Sequence, residues 1–135
     1  MSIIGLYSGD DGQSHLVELQ MVGSGPPLNQ PLPCQGWRPF QCAPGATSPL
    51  HPTPVAGVTF MLGGCMEIRV GGGERRHVKL QCGDMLVVID TTGAGHATAI
   101  TGEQDLVVAG VSFAPADWPR IRAAFSGWPA NLVPP

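Results

Sequence analysis

The sequence predicts an all-β domain followed by one short C-terminal helix. Three observations carry that reading. Short apolar or alternating segments recur along the chain and are separated by glycine-containing turns, the spacing of an all-β protein. The run Met85 to Ile89 (MLVVI) is continuously apolar, as a strand covered on both faces requires. Beyond Phe113 the pattern changes, and Trp118, Ile121, Ala124 and Phe125 fall at helical spacing behind Asp117.

Taken in order, Ile3 to Tyr7 reads as a short strand ended by the turn Ser8-Gly9-Asp10-Asp11-Gly12, and His15 to Val22 as a second strand. From Gly23 to Pro54 the chain is rich in Gly, Pro and polar residues. Pro26-Pro27, Pro31, Pro33, Pro39, Pro44, Pro49, Pro52 and Pro54 remove ladder donors and exclude a central strand or long helix through most of it, leaving room for an edge strand near Trp37 to Cys42. So long an irregular segment in a small domain points to function. Gly57 to Leu62 is a β-rich apolar strand ending at Gly63-Gly64. Cys65 to Val70 alternates Met66, Ile68 and Val70 against Glu67 and Arg69. Gly71-Gly72-Gly73 is a hairpin turn, His77 to Leu80 a strand with Val78 and Leu80 on one face, and Gln81 to Asp84 a turn into Met85 to Ile89. Asp90 to Gly95 is a loop, His96 to Ile100 a strand, Gly102 to Gln104 a turn, and Leu106 to Phe113 the last long strand. Asp117 is placed to cap a helix, with Pro119 in its first turn and Gly127 as its stop. The tail to Pro135 is extended. The expected organisation is one domain over 1–135: N-terminal strands in 1–22, an all-β core over about 37–114 (the barrel of the resemblance given below) and a helix over about 117–126.

Gly (19) and Pro (14) approach a quarter of the 135 residues, yet 43% hydrophobic content supplies a core, so the glycines and prolines belong to turns. The net charge is -3 and no run of Lys or Arg occurs, which argues against nucleic acid and anionic membrane as partners. Met1 to Gly5 lacks a basic start and a long apolar run, and no stretch approaches the length of a membrane span, so the cytoplasm is the expected location. Cys34, Cys42, Cys65 and Cys82 form no C-x-x-C pair; Cys65 and Cys82 read as small apolar strand residues.

The stretch from His51 to Ile100 resembles the cupin superfamily. Gly83-Asp84, the strand Met85 to Ile89 and the turn Gly93-Ala94-Gly95-His96 match the second cupin motif, with Thr91 where a proline is customary. The first motif matches in outline. With Gly64 as its closing glycine, His51 takes the first histidine position, while Thr53 and Gly57 stand where the family has its second histidine and its glutamate. Tyr7, Gly9, Asp10, Asp11, Gly12, Ser14 and His15 are also similar to the opening of a subgroup of short bacterial cupins without assigned function. The resemblance implies a jelly-roll barrel, a small-molecule pocket, two of four metal-ligand positions retained at His51 and His96, and a homodimer. An open barrel edge gives the dimer a physical motive.

Residues two apart share a strand face, so His51, Thr53, Val55, Gly57, Thr59 and Met61 form one set, and His96, Thr98 and Ile100 another. In a cupin both sets face the barrel mouth. His51 and His96 are therefore the candidate catalytic residues, and Thr53, Thr59, Met61, Thr98, Arg38 and Trp37 the candidate substrate contacts, the last two orienting an anionic or aromatic ligand at the rim. Three readings stand open. The two imidazoles hold one divalent metal (Zn, Fe or Ni), with Gln41, Cys42 or another residue of the Pro-rich segment as a further ligand, the arrangement of a metal-assisted or oxygenase-like cupin. They act without metal as general acid and base in an isomerisation, cyclisation or elimination. Or the barrel binds a ligand without turnover. His15, with Glu18 three residues on, reads as an exposed ion pair, and His77 as solvent-facing. No Gly-x-Ser-x-Gly elbow supports serine catalysis, and the triple glycine lacks the ending of a phosphate loop.

Overall fold

The computed structural model describes residues 1–23 and 31–135; Pro26-Pro27 lie outside the described residues. Among these the chain forms strands β1 (Ile3–Gly9), β2 (Ser14–Met21), β3 (Gly36–Cys42), β4 (Thr47–His51), β5 (Gly57–Gly63), β6 (Cys65–Val70), β7 (His77–Gln81), β8 (Met85–Ile89), β9 (His96–Thr101), β10 (Leu106–Ser112), β11 (Phe125–Ser126) and β12 (Leu132–Val133). A 3₁₀ turn, Pro115–Asp117, leads into the helix α1 (Trp118–Ala123).

The strands make two sheets. The larger runs β11-β2-β1-β8-β5-β10-β3, with β12 added alongside β1, and the smaller runs β4-β9-β6-β7. Every pairing is antiparallel except β1 with β8. The sheets face each other across one apolar core. Leu6, Leu16, Met61, Leu86, Val88 and Val108 of the larger sheet meet Met66, Ile68, Val70, Val78, Leu80 and Ile100 of the smaller. This is a double-sheet jelly roll. The alternation expected of β6 and β7 is present: Met66, Ile68 and Val70 are buried, as are Val78 and Leu80. The strand β8 is covered on both faces because a second apolar layer closes the outside of the larger sheet. There Phe113, Trp118, Ile121, Phe125 and Leu132 pack over Ile3, Tyr7, Val87 and Ile89.

The turn into β8 explains its Gly-Asp pair. Gly83 sits at φ 93, a conformation open to residues without a Cβ, and Asp84 accepts the backbone N–H groups of Gln81 and Ser2 at 2.9 and 2.8 Å.

Several expectations need correction. The strand β1 continues through Ser8 and Gly9, because its pairing with β2 and β12 extends past Tyr7. β4 lies inside the segment expected to be irregular. Pro49 is tolerated there because β4 is the edge of the smaller sheet. The helix stops at Ala123 instead of reaching Phe125, which is drawn off to pair with Met21. Asp117 makes no side-chain cap; it already belongs to the 3₁₀ turn. Cys82 is exposed in a turn, its thiol donating to the Leu62 carbonyl at 3.2 Å, whereas Cys65 is half-buried on β6. Among the described residues no helix is long and apolar enough to cross a membrane.

Candidate functional site

The site begins with backbone register. β4 and β9 are antiparallel neighbours, and His51 lies opposite His96. Gly95, at φ 78, makes the turn into β9 and lies hard against the His51 carbonyl and the Pro52 nitrogen. A Cβ there would have no room, so glycine is what lets the two histidine-bearing segments close on one another. The imidazole centroids end 4.9 Å apart with planes tilted by 44°.

Each ring is oriented by its Nδ1. His51 Nδ1 is 2.8 Å from the Pro49 carbonyl, an oxygen that accepts only, so this nitrogen carries the proton. His96 Nδ1 is 2.7 Å from Asp90 Oδ2 and donates to it. Both rings therefore leave Nε2 uncommitted, the nitrogen free to take a proton or bind a ligand.

Asp90, directly after β8, is fully buried. Its Oδ2 accepts from His96 and from the hydroxyl of buried Ser14 at 2.9 Å, and its Oδ1 from Thr53 at 2.6 Å. The Thr53 N–H also donates to the Asp90 carbonyl at 2.9 Å. Three donors converging on one buried carboxylate fix His96 in place. The sequence reading put Asp90 in a loop and assigned it no role. The one signal for it was position: a carboxylate placed straight after a strand covered on both faces is carried into the interior with that strand.

Between the sheets lies a cavity of about 700 Å³. His51, His96, Thr53, Thr59, Thr98, Arg38 and Trp37 all line it. Met61 does not; it is 2% exposed and belongs to the core. Nor do residues 51 to 61 form one strand face. The chain leaves β4 at His51 and enters β5 at Gly57, with Pro52 and Pro54 in between. Thr53 reaches the cavity, but its hydroxyl proton is committed to Asp90. Cys42 lines the cavity, whereas Gln41 turns to Asp105, donating at 2.7 Å. Ile68, Leu86, Val88, Ile100, Leu106 and Val108 make the walls chiefly apolar.

Among the described residues the donor set does not complete a metal site. Thr53 and Gly57 offer no imidazole or carboxylate beside His51, and the Asp90 oxygens already receive three hydrogen bonds. Among the described residues no group of three or more His, Cys, Asp or Glu side chains gathers to hold an ion. Two imidazoles fall short of the three protein ligands such sites usually have.

The remaining histidines lie elsewhere. His15 pairs with Asp11 at 2.9 Å, not with Glu18, and stacks on Tyr7 with ring centroids 5.3 Å apart. Glu18 instead approaches Arg75 at 3.7 Å. The hydrogen bond from His15, helped by the Gln13 N–H, holds the Asp11 carboxyl below its ordinary range. Burial, reinforced by Asp11 and Asp10, raises the Tyr7 phenol. His77 is exposed and 3.1 Å from Glu67.

No family model and no curated protein matches the chain. Solved structures do. A Cupin 2 conserved barrel domain protein from Salinispora arenicola is 18% identical over 78% of this chain and 82% of that one, with a TM-score of 0.45. A cupin-like protein from Thermotoga maritima is 18% identical over 81% of this chain and 77% of that one, with a TM-score of 0.46. A predicted oxalate decarboxylase from Thermotoga maritima is 18% identical over 84% of this chain and 94% of that one, with a TM-score of 0.45. In its own strand order, with the Gly83-Asp84 turn before β8 and the Gly93 to His96 turn after it, the chain is a double-sheet jelly roll.

Proposed function

We propose that this protein is a small-molecule enzyme that moves protons, in an isomerisation, cyclisation or elimination, with His96 and His51 as its acid–base pair. The observation that carries the reading is the buried Asp90 behind His96. A carboxylate held by Ser14 and Thr53 fixes one tautomer of His96 and faces the positive charge that appears when Nε2 takes a proton. His51 is near enough for a substrate to touch both rings. In an isomerisation His96 Nε2 removes a proton from one substrate atom while protonated His51 delivers one to another. The pair then holds the same number of protons as before, redistributed, and proton exchange with water resets it.

The test uses deuterium. Purified protein is incubated in D2O with a small-molecule extract of the source cells, with and without EDTA, and the mixture is analysed by mass spectrometry. A proton-transfer enzyme places deuterium in its substrate or product, with EDTA making no difference, and His96→Ala and His51→Ala lose the labelling while staying folded. Labelling that survives both substitutions, or that EDTA abolishes, overturns the reading. So does an extract that wild-type protein leaves unlabelled.

We also propose a homodimer, supported by the outer side of the larger sheet near its β3 edge. Phe60 and Leu62 are exposed there, and among the described residues no strand pairs with the outer edge of β3.

A further inference from the structure

We infer that the molecule taken by this cavity is a monoanion, an apolar body bearing one carboxylate or a similar group, and that Arg38 is the residue that selects it. The inference rests on the reading of the cavity as the substrate site. On β3, Gly36, Arg38, Phe40 and Cys42 alternate onto one face, and Cys42 of that face packs against the core between the sheets, so Arg38 stands on the inner side although it is exposed. Among the described residues no Asp, Glu or Lys lines the cavity, and Arg38 is its one permanent charge. Among the described residues Arg38 takes part in no ion pair, whereas Arg69 and Arg75 have carboxylate partners.

The register leaves space beside it. Arg38 lies opposite Gly110 of β10, and Gly110 opposite Thr59 of β5. A Cβ at Gly110 would meet only the Arg38 carbonyl oxygen and Cγ, at 3.9 and 4.0 Å, so the row between guanidinium and threonine hydroxyl is open. An oxyanion seated there meets a planar cation built for two-point pairing, next to a hydroxyl donor. The apolar walls take the rest of the molecule, and about 700 Å³ is within the range of sites for drug-sized ligands. The chain as a whole carries a net charge of -3, so attraction of an anion would be a local property of this row.

The experiment uses two fluorescent probes with one skeleton. 8-Anilino-1-naphthalenesulfonate carries an anionic group, and N-phenyl-1-naphthylamine lacks it. Each is titrated into the folded full chain. The anionic probe is expected to bind about tenfold tighter, and Arg38→Gln to erase that advantage while leaving the neutral probe unchanged. Arg38→Lys restores part of it, since charge is kept and the fork lost. Thr98→Trp, which fills the cavity, weakens both probes. If that variant does not fold, competition between the two probes for a single site per chain replaces it. Equal affinities, an advantage that survives Arg38→Gln, or binding outside the cavity overturns the inference. An absent deuterium label with the anion preference intact overturns the proton-transfer reading alone. A label without the preference overturns this inference alone.

Discussion

Replacing Asp90 by asparagine tests the arrangement behind His96 most directly. The substitution keeps the shape and removes the charge. In the native protein three hydrogen bonds, at 2.6, 2.7 and 2.9 Å, converge on the carboxylate. Bonds to a charged partner contribute roughly 1.5–3 kcal/mol each, and neutral ones about 1 kcal/mol. Three such exchanges cost about 1.5–6 kcal/mol. Burying a neutral amide is easier than burying a charge, which offsets part of that loss. The net expectation is a destabilisation of about 3 kcal/mol, or a Tm lower by about 10 °C for a domain of this size. Urea unfolding with linear extrapolation reads the free energy. Long-range ¹H–¹⁵N NMR reads the imidazole: wild-type His96 carries its proton on Nδ1, and the variant shows a mixture, because an amide nitrogen turned toward the ring donates instead of accepting. A loss below about 0.5 kcal/mol, the scale of a neutral surface change, with the tautomer unchanged would show that Asp90 neither holds the site together nor orients His96.

Three further outcomes are expected. Gly95→Ala meets the His51 backbone and also strains a left-handed position, so it should lose more than about 3 kcal/mol by urea unfolding and separate the histidine resonances from their native shifts. Asp11, held below its ordinary range first by His15 and then by the Gln13 N–H, stabilises the fold above the unfolded carboxyl value. That contribution is lost as pH falls through the lower folded value, so urea midpoints of wild type and Asp11→Asn should differ at pH 6 and converge in strong acid. Sedimentation equilibrium should give a dimer that Phe60→Glu converts to monomer without a change in circular dichroism; a wild-type monomer at all concentrations refutes the pairing proposal.

What the sequence made legible follows from the reach of each interaction. Strands β5 to β10 were readable because alternation and glycine turns are local and because both faces of β8 are apolar. His51 and His96 were readable as a pair through motif spacing that reflects the β4–β9 register. β4 was hidden because Pro49 and its polar neighbours have no strand preference of their own; pairing with β9 confers it. Asp90 was hidden because two of its three partners, Thr53 and Ser14, lie 37 and 76 positions away. Its place straight after β8 signals burial but names none of the partners that receive it. Met61 was misplaced because sharing a strand face with Thr59 does not fix depth: Thr59 reaches the cavity, while Met61, two residues further along β5, is packed into the core. His15 was given the wrong acidic neighbour because a hairpin turn, not helical spacing, decides which carboxylate reaches it.

The separation of parts between the two sheets has a practical consequence. The imidazoles hang from β4 and β9, while Arg38 and Phe40 hang from the last strand of the opposite sheet. On the proposed roles, a library that randomises the inward positions of β3 would alter which compounds are admitted without touching the proposed acid–base pair, which suits the scaffold to the engineering of new selectivities.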